Sequence, residues 1–213
     1  MKTLLVVLGA VSAIAASTTV LAFLGLPYKP LGLEFLQINP YTPVSVASEV
    51  SGSTEPEQVE GATMDDSVTN GDFTIFLAGG DDTTLGNGKD EVTVWDFDFT
   101  GDPQFDSFPT SGNLQSALLS LTLTPKSVRV DSDVIRISGL ANITPPAYAG
   151  LTENETTTVE VDLLDHYTSE EILGALQEGD GQIGYATQNG QISMASQDDA
   201  IVSAAELTLV AAQ

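Results

Sequence analysis

The chain has 213 residues, with 30 Asp and Glu against 6 Lys and Arg, a single His and no Cys, for a formal net charge of −24. These counts exclude a disulfide-stapled domain, a thiolate metal site and a catalytic thiol. An anionic surface of this strength repels phosphate backbones and anionic bilayers, so nucleic acid is excluded as a partner, and a membrane can be met only through the N-terminal segment.

With 42% apolar residues the chain can fill the core of one domain. Glu34 is the one acid before position 46, so nearly all of the charge falls on the rest of the chain. A surface of this kind gathers cations and resists association by self-repulsion, and its shortage of Lys suits a salty medium in which that repulsion is screened.

At the N-terminus Lys2 precedes an apolar run from Leu4 to Ala16, with small residues at Ala13, Ala15, Ala16, Ser17 and Ala22. This is the layout of a secretory signal, with cleavage expected after Ala15 or Ala22. No charge occurs between Lys2 and Lys29, an interval long enough to span a bilayer if left uncut, so a retained anchor is the alternative. Both readings put the rest of the chain outside the cytoplasm, at the cell surface or beyond it. Residues 1–22 are thus read as signal peptide or anchor. Residues 23–65 are read as a tether, because Pro27, Pro30, Pro40 and Pro43 break helices and the stretch from Ser45 to Glu60 has no usable periodicity. Residues 66–213 are left as the folded domain.

From Asp72 onward the dominant period is two. Asp72 to Ala78 reads as a short strand. In Glu91 to Phe99 the odd positions carry Trp95, Phe97 and Phe99 and the even ones turn acidic at Asp96 and Asp98, which predicts a strand with one aromatic face. Ala117, Leu119, Leu121 and Leu123 alternate with polar residues until Pro125, and Asp133 to Gly139 reads as a shorter strand. Val159, Val161 and Leu163 alternate with Thr158, Glu160 and Asp162. Near the end Ile201, Ala205, Leu207 and Leu209 are expected on the core face, opposite Val202, Ala204, Glu206 and Thr208.

Thr168 and Glu171 have the spacing of a capping box, Ile172, Leu173 and Leu176 make an apolar stripe, and Gly179 supplies a stop, so one short helix is expected. Asn189-Gly190 suits a type I′ hairpin that sets Thr187 opposite Ile192 and Tyr185 opposite Met194. About eight short strands with one helix and no β-α alternation predict an all-β, two-sheet antiparallel sandwich, jelly-roll-like or, as the alternative, immunoglobulin-like.

Five features can carry chemistry. The loop from Gly79 to Glu91 packs oxygen ligands between glycines, and Asp198-Asp199 before the last strand can reach the same end of a sandwich. Asp81, Asp82, Asn87, Asp90, Asp198 and Asp199 are therefore candidate ligands of a structural calcium ion, which takes six to eight oxygens. The same residues also read as ordinary turn formers in a solvated loop.

Glu160-Val-Asp162-Leu-Leu-Asp165 resembles the Glu-x-Asp-x-x-Glu strand of the jelly-roll β-glucanase-like glycoside hydrolases, with Asp in the sixth place. The resemblance would make Glu160 nucleophile, Asp162 its partner and Asp165 the acid of a retaining mechanism; the plain alternative is an amphipathic strand with a solvated acid face. His166 beside Asp165 offers acid or base work or a structural loop residue. Trp95, Phe97 and Phe99 offer a sugar-stacking face or a core stripe. Asn142-Ile-Thr144 and Asn154-Glu-Thr156 match the glycosylation acceptor pattern.

The expected function is that of a secreted or cell-surface non-catalytic module for adhesion, matrix or carbohydrate binding, whose partner is an extracellular glycan or envelope component. The alternatives are an envelope-anchored structural or fibre subunit and a glycoside hydrolase using Glu160 and Asp165.

Overall fold

The computed structural model describes residues 42–109, 111–127, 133–178 and 190–212. The segment read as signal peptide or anchor, most of the Pro-rich stretch, Gly179 and the first arm of the expected hairpin lie outside these residues.

Among the described residues, alternation of Val, Ile, Leu, Phe and Thr with polar residues yields eleven strands: β1 (Val44–Ser51), β2 (Val59–Glu60), β3 (Ser67–Asn70), β4 (Phe73–Leu77), β5 (Thr84–Leu85), β6 (Glu91–Asp98), β7 (Leu114–Pro125), β8 (Val134–Ile137), β9 (Thr157–Asp162), β10 (Gln191–Asp198) and β11 (Ala200–Ala211). They form a four-stranded sheet in the order β1-β11-β7-β9, a five-stranded sheet in the order β3-β4-β6-β10-β8, and a small β2-β5 ribbon. Every pairing is antiparallel. The protein is an all-β sandwich, with one short helix among the described residues.

The two large sheets close over one apolar core. Val46, Leu119, Leu121, Leu207 and Leu209 come from the first sheet and Phe73, Trp95, Phe97, Ile137 and Met194 from the second. Trp95, Phe97 and Phe99 lie inside, so the stacking-face alternative is replaced by core packing: Phe73 and Phe97 meet Trp95 edge-on at 5.7 and 6.2 Å. A second, smaller core of Ala62, Val68, Ile75, Leu77 and Leu85 sits where the ribbon covers β3 and β4.

The helix α1 (Ser169–Glu178) starts as expected. The Thr168 hydroxyl accepts from the Glu171 N–H at 3.2 Å, and the Glu171 carboxylate accepts from the Thr168 N–H at 2.8 Å. Ile172, Leu173 and Leu176 join the main core.

Two expectations change. Val44–Ser51, inside the stretch read as tether, is β1, paired along its whole length with β11 from Val44↔Ala211 to Ser51↔Ala204. Its signal is present in Val44, Val46 and Val50 at even spacing, interrupted by Ser48. On β11 the pairing shifts between Val202 and Ala204, a bulge that reverses the side-chain phase. Ala200 and Val202 therefore enter the core, while Ile201 packs beneath Gly88 on the other side.

Candidate functional site

The loop from Gly79 to Glu91 and the β10-β11 turn meet at one end of the sandwich. Strand β10 lies beside β6 in the five-stranded sheet with Asp198 opposite Glu91, and this pairing, not that of the first and last strands, brings the β10-β11 turn beside the loop. The Asp90 N–H donates to the Asp199 carboxylate at 2.9 Å, and the Lys126 N–H donates to the Asp199 carbonyl at 2.7 Å. The Ser127 hydroxyl also donates to the Asp199 carboxylate.

The six predicted ligands are thus gathered at one end but put to different uses. Asp81 is exposed. Asp82 accepts from the Asn87 side-chain amide at 2.9 Å and the Thr84 N–H at 2.8 Å, donors that hold its carboxyl below the usual range. The Asn87 side-chain oxygen in turn accepts from the Lys89 N–H at 2.8 Å. Asp90 takes the left-handed conformation at φ 49°, and its carbonyl accepts from the Ala78 N–H at 2.6 Å. Asp198 is buried, accepting from the Ser196 hydroxyl and from the Ala200 N–H at 3.3 Å. Among the described residues, no group of three or more His, Asp or Glu side chains is placed to hold a metal ion.

The residue at the centre of this end is one that motif reading passes over. Glu91, 1% exposed, opens β6 on its inward face. Its carboxylate accepts from the N–H groups of Gly86 at 2.5 Å, Asn87 at 3.1 Å and Gly88 at 3.2 Å, closing the loop as a nest of amides around one acid. Asp198 stands directly opposite on β10. Burial pushes the Glu91 carboxyl up to about 7, the facing charge of Asp198 adds to the shift, and the three amides oppose it. Parity is the available signal, since 91 shares the odd phase of Trp95, Phe97 and Phe99.

The loop glycines are part of this geometry. Gly88 has φ +75°, and a Cβ there would come within 2.8 Å of both Ile201 Cγ1 and Lys126 Cγ.

The Glu160 motif is drawn apart by the chain path. Glu160 sits on the outer face of β9, in register with Ser120 and, one strand further on, with Glu206 and Glu49. The strand ends at Asp162, whose carboxylate accepts from the Leu164 N–H at 3.0 Å and starts a single 3-10 turn over Leu163–Asp165. Asp165 thus lies beyond the strand, on the exposed side of that turn, and His166 is exposed beside it. Asn142 and Asn154 are exposed as well.

The outer face of the four-stranded sheet carries a shallow groove of about 350 Å³ lined by Glu49, Ser51, Ser120, Thr122, Ala204 and Glu206. A second open groove, about 600 Å³, runs along the start of α1 past Asn113, Ser169 and Leu173. Among the described residues no helix is long and apolar enough to cross a membrane.

No protein-family model, curated protein or solved structure matches this chain.

Proposed function

We propose that the chain is an exported, non-catalytic sandwich module of the cell surface or extracellular matrix. The observation that carries this reading is the use made of its clustered carboxylates. Asp82, Glu91 and Asp199 accept backbone and side-chain donors from their own loops, which makes them parts of the scaffold. The separation of Glu160 on its strand from Asp165 on the following turn supports the same conclusion.

In this reading the partner is an envelope component or glycan met by the outer face of the four-stranded sheet, where Ser120 lies between Glu206 and Glu160 with Glu49 beyond Glu206 and Thr122 on the same strand as Ser120. Those side chains can exchange hydrogen bonds with sugar hydroxyls, and the charge of the face selects neutral or amino sugars over sulfated or uronic ones. A structural calcium ion would, in this reading, draw on the exposed Asp81 and Asp90 and tie the loop end further.

The test is co-sedimentation of the full chain with insoluble extracellular polysaccharides and envelope fractions, with reducing ends assayed in parallel. Retention without release of reducing ends is the expected result. Reducing-end release that disappears in Glu160→Gln overturns the module and establishes the hydrolase.

A further inference from the structure

The two edges of the four-stranded sheet are finished differently. At β1 the Ala47 N–H donates to Asp102 Oδ2 at 3.0 Å and the Ser51 N–H to Asp72 Oδ2 at 2.8 Å, while the Asp72 N–H donates to the Ser51 carbonyl at 2.9 Å. The other edge is β9, and residues 152–156, which lead into it, are all exposed. They include Asn154-Glu-Thr156, one of the two glycosylation acceptor tripeptides in the chain.

The backbone presents Asn154 at the tip of a turn. The Glu155 N–H donates to the Thr152 carbonyl at 3.2 Å, and the Asn154 N–H donates to the Pro125 carbonyl at 2.7 Å. Asn154 itself takes the left-handed conformation at φ 61°, which Asn tolerates better than most residues. Its side-chain oxygen accepts from the Lys126 ammonium at 3.4 Å, and Nδ2 donates to the exposed Glu153 carboxylate at 3.2 Å. A glycosyl group on Nδ2 leaves that oxygen and one N–H in place, so the folded turn can keep both contacts.

The second tripeptide, Asn142-Ile-Thr144, is equally exposed at its Asn but has a different backbone. Ile143 is buried and bridges Ile135 through both its N–H and its carbonyl, each at 2.9 Å. Pro145 follows Thr144, and a residue before Pro is confined to extended conformations in the folded and the unfolded chain alike. The bend that brings a Thr hydroxyl back to the Asn amide two residues earlier is therefore open to Thr156 and closed to Thr144.

We infer that Asn154 is the acceptor of an N-linked glycan and that Asn142 is not. The assignment rests on the exported reading of the chain, because transfer from a lipid-borne donor takes place on the far side of the membrane. The donor is a glycosyl group carried on a lipid phosphate. Asn154 Nδ2 bonds to C1 of the sugar as the C1–O bond breaks; the bonding pair leaves on the phosphate oxygen, and one amide proton passes to the transferase. In the fold the Thr156 hydroxyl lies 2.7 Å from Thr124 Oγ1, so the transferase takes this segment before β9 has paired with β7. Once the sheet has formed, the turn stands beside Pro125 at the Ala200 end of β11, whereas β1 enters the sheet at the Ala211 end. A hydrated sugar chain there lies at the start of an edge strand and leaves the entry of β1 clear.

Mass spectrometry of the full chain, recovered from outside the cells that make it, tests the assignment. A mass excess composed of sugar residues is expected, placed by fragmentation on Asn154 with Asn142 bare. Asn154→Gln and Thr156→Ala are each expected to abolish the excess, and Asn142→Gln and Thr156→Ser to retain it. Exported chain with an unmodified Asn154 overturns the inference and leaves the exported reading standing. An excess that survives Asn154→Gln overturns it as well. Chain found only inside the cell overturns the exported reading instead, and the full chain with a proven secretory leader ahead of Met1, made in the same cells, then decides the site: a glycan on Asn154 sustains it and a bare Asn154 overturns it.

Discussion

The middle of the sandwich and its loop end are buried to the same degree by opposite means. Leu119, Leu121 and Leu123 are fully buried among apolar neighbours, whereas Glu91 and Asp198, 1% and 3% exposed, are buried as acids. The first region is stabilised by area withdrawn from water. The second stands because each carboxylate meets donors: three amides for Glu91, a hydroxyl and an amide for Asp198. Water removed from Leu121 is a gain at every pH, while the worth of the loop end depends on where a proton resides.

Breaking the comparison on its apolar side should have the largest effect. Leu121→Ala, at a site with 0% exposure, is expected to cost about 3 to 4 kcal/mol, read from urea unfolding followed by the single Trp95. Its cost should be the same at pH 5 and pH 8.

The acid side should respond to pH instead. Folded Glu91 keeps its proton up to about 7 against an ordinary value of 4.5, so between those values the folded state binds more protons than the unfolded one. Stability from this group is full below pH 4.5 and is lost as pH rises through 7. The expected loss is about 3 kcal/mol, and Glu91→Gln should remove that part of the wild-type pH slope. Carboxyls held low by hydrogen bonds, such as Asp98 beside Thr100 and Glu171 beside Thr168, act with the opposite sign, losing stability as pH falls below the carboxylate range. An unchanged slope in the Gln variant would mean that Glu91 is no more protonated in the fold than out of it.

Smaller effects sharpen the contrast at backbone level. Gly71→Ala combines a left-handed φ with a clash against the Ser51 carbonyl and should cost about 2 kcal/mol in the same assay. Thr168→Ala removes one half of the capping box and should cost about 1 kcal/mol.

Much of the fold is legible in the residues themselves. The strands around Trp95, Leu121 and Val159 and the helix after Thr168 rest on local rules of period and capping, and each stands where those rules put it. The approach of Asp199 to the Gly79–Glu91 loop is expected from the tendency of first and last strands to pair, but it is the β6–β10 pairing, with Asp198 opposite Glu91, that produces it. Where local rules fail, the deciding contact is distant. An unbroken phase along β11 cannot register the bulge beside Ser203, whose carbonyl takes the Gly52 N–H. Strand β1 is hidden because Ser48 interrupts its valines, and what secures it is eight residues of pairing with the far end of the chain. At the candidate site the six predicted ligands stand out by their oxygens, and Glu91 escapes notice although its odd phase already points it inward.

By itself the sequence determined the class of the fold, the inward residues of most strands, the start of the helix and the strength of the surface charge. Each depends on residues within a turn or two of one another, or on composition alone. Only the tertiary structure decided which strands are neighbours, that Glu91 is enclosed by amides opposite Asp198, and that Asp72 and Asp102 cover the edge of β1. The bonds of Asp72 and Asp102 to β1 and the bond from Asp90 to Asp199 span 21, 55 and 109 residues, and a donor and an acceptor that far apart meet only once two packed sheets have fixed the path of the chain between them.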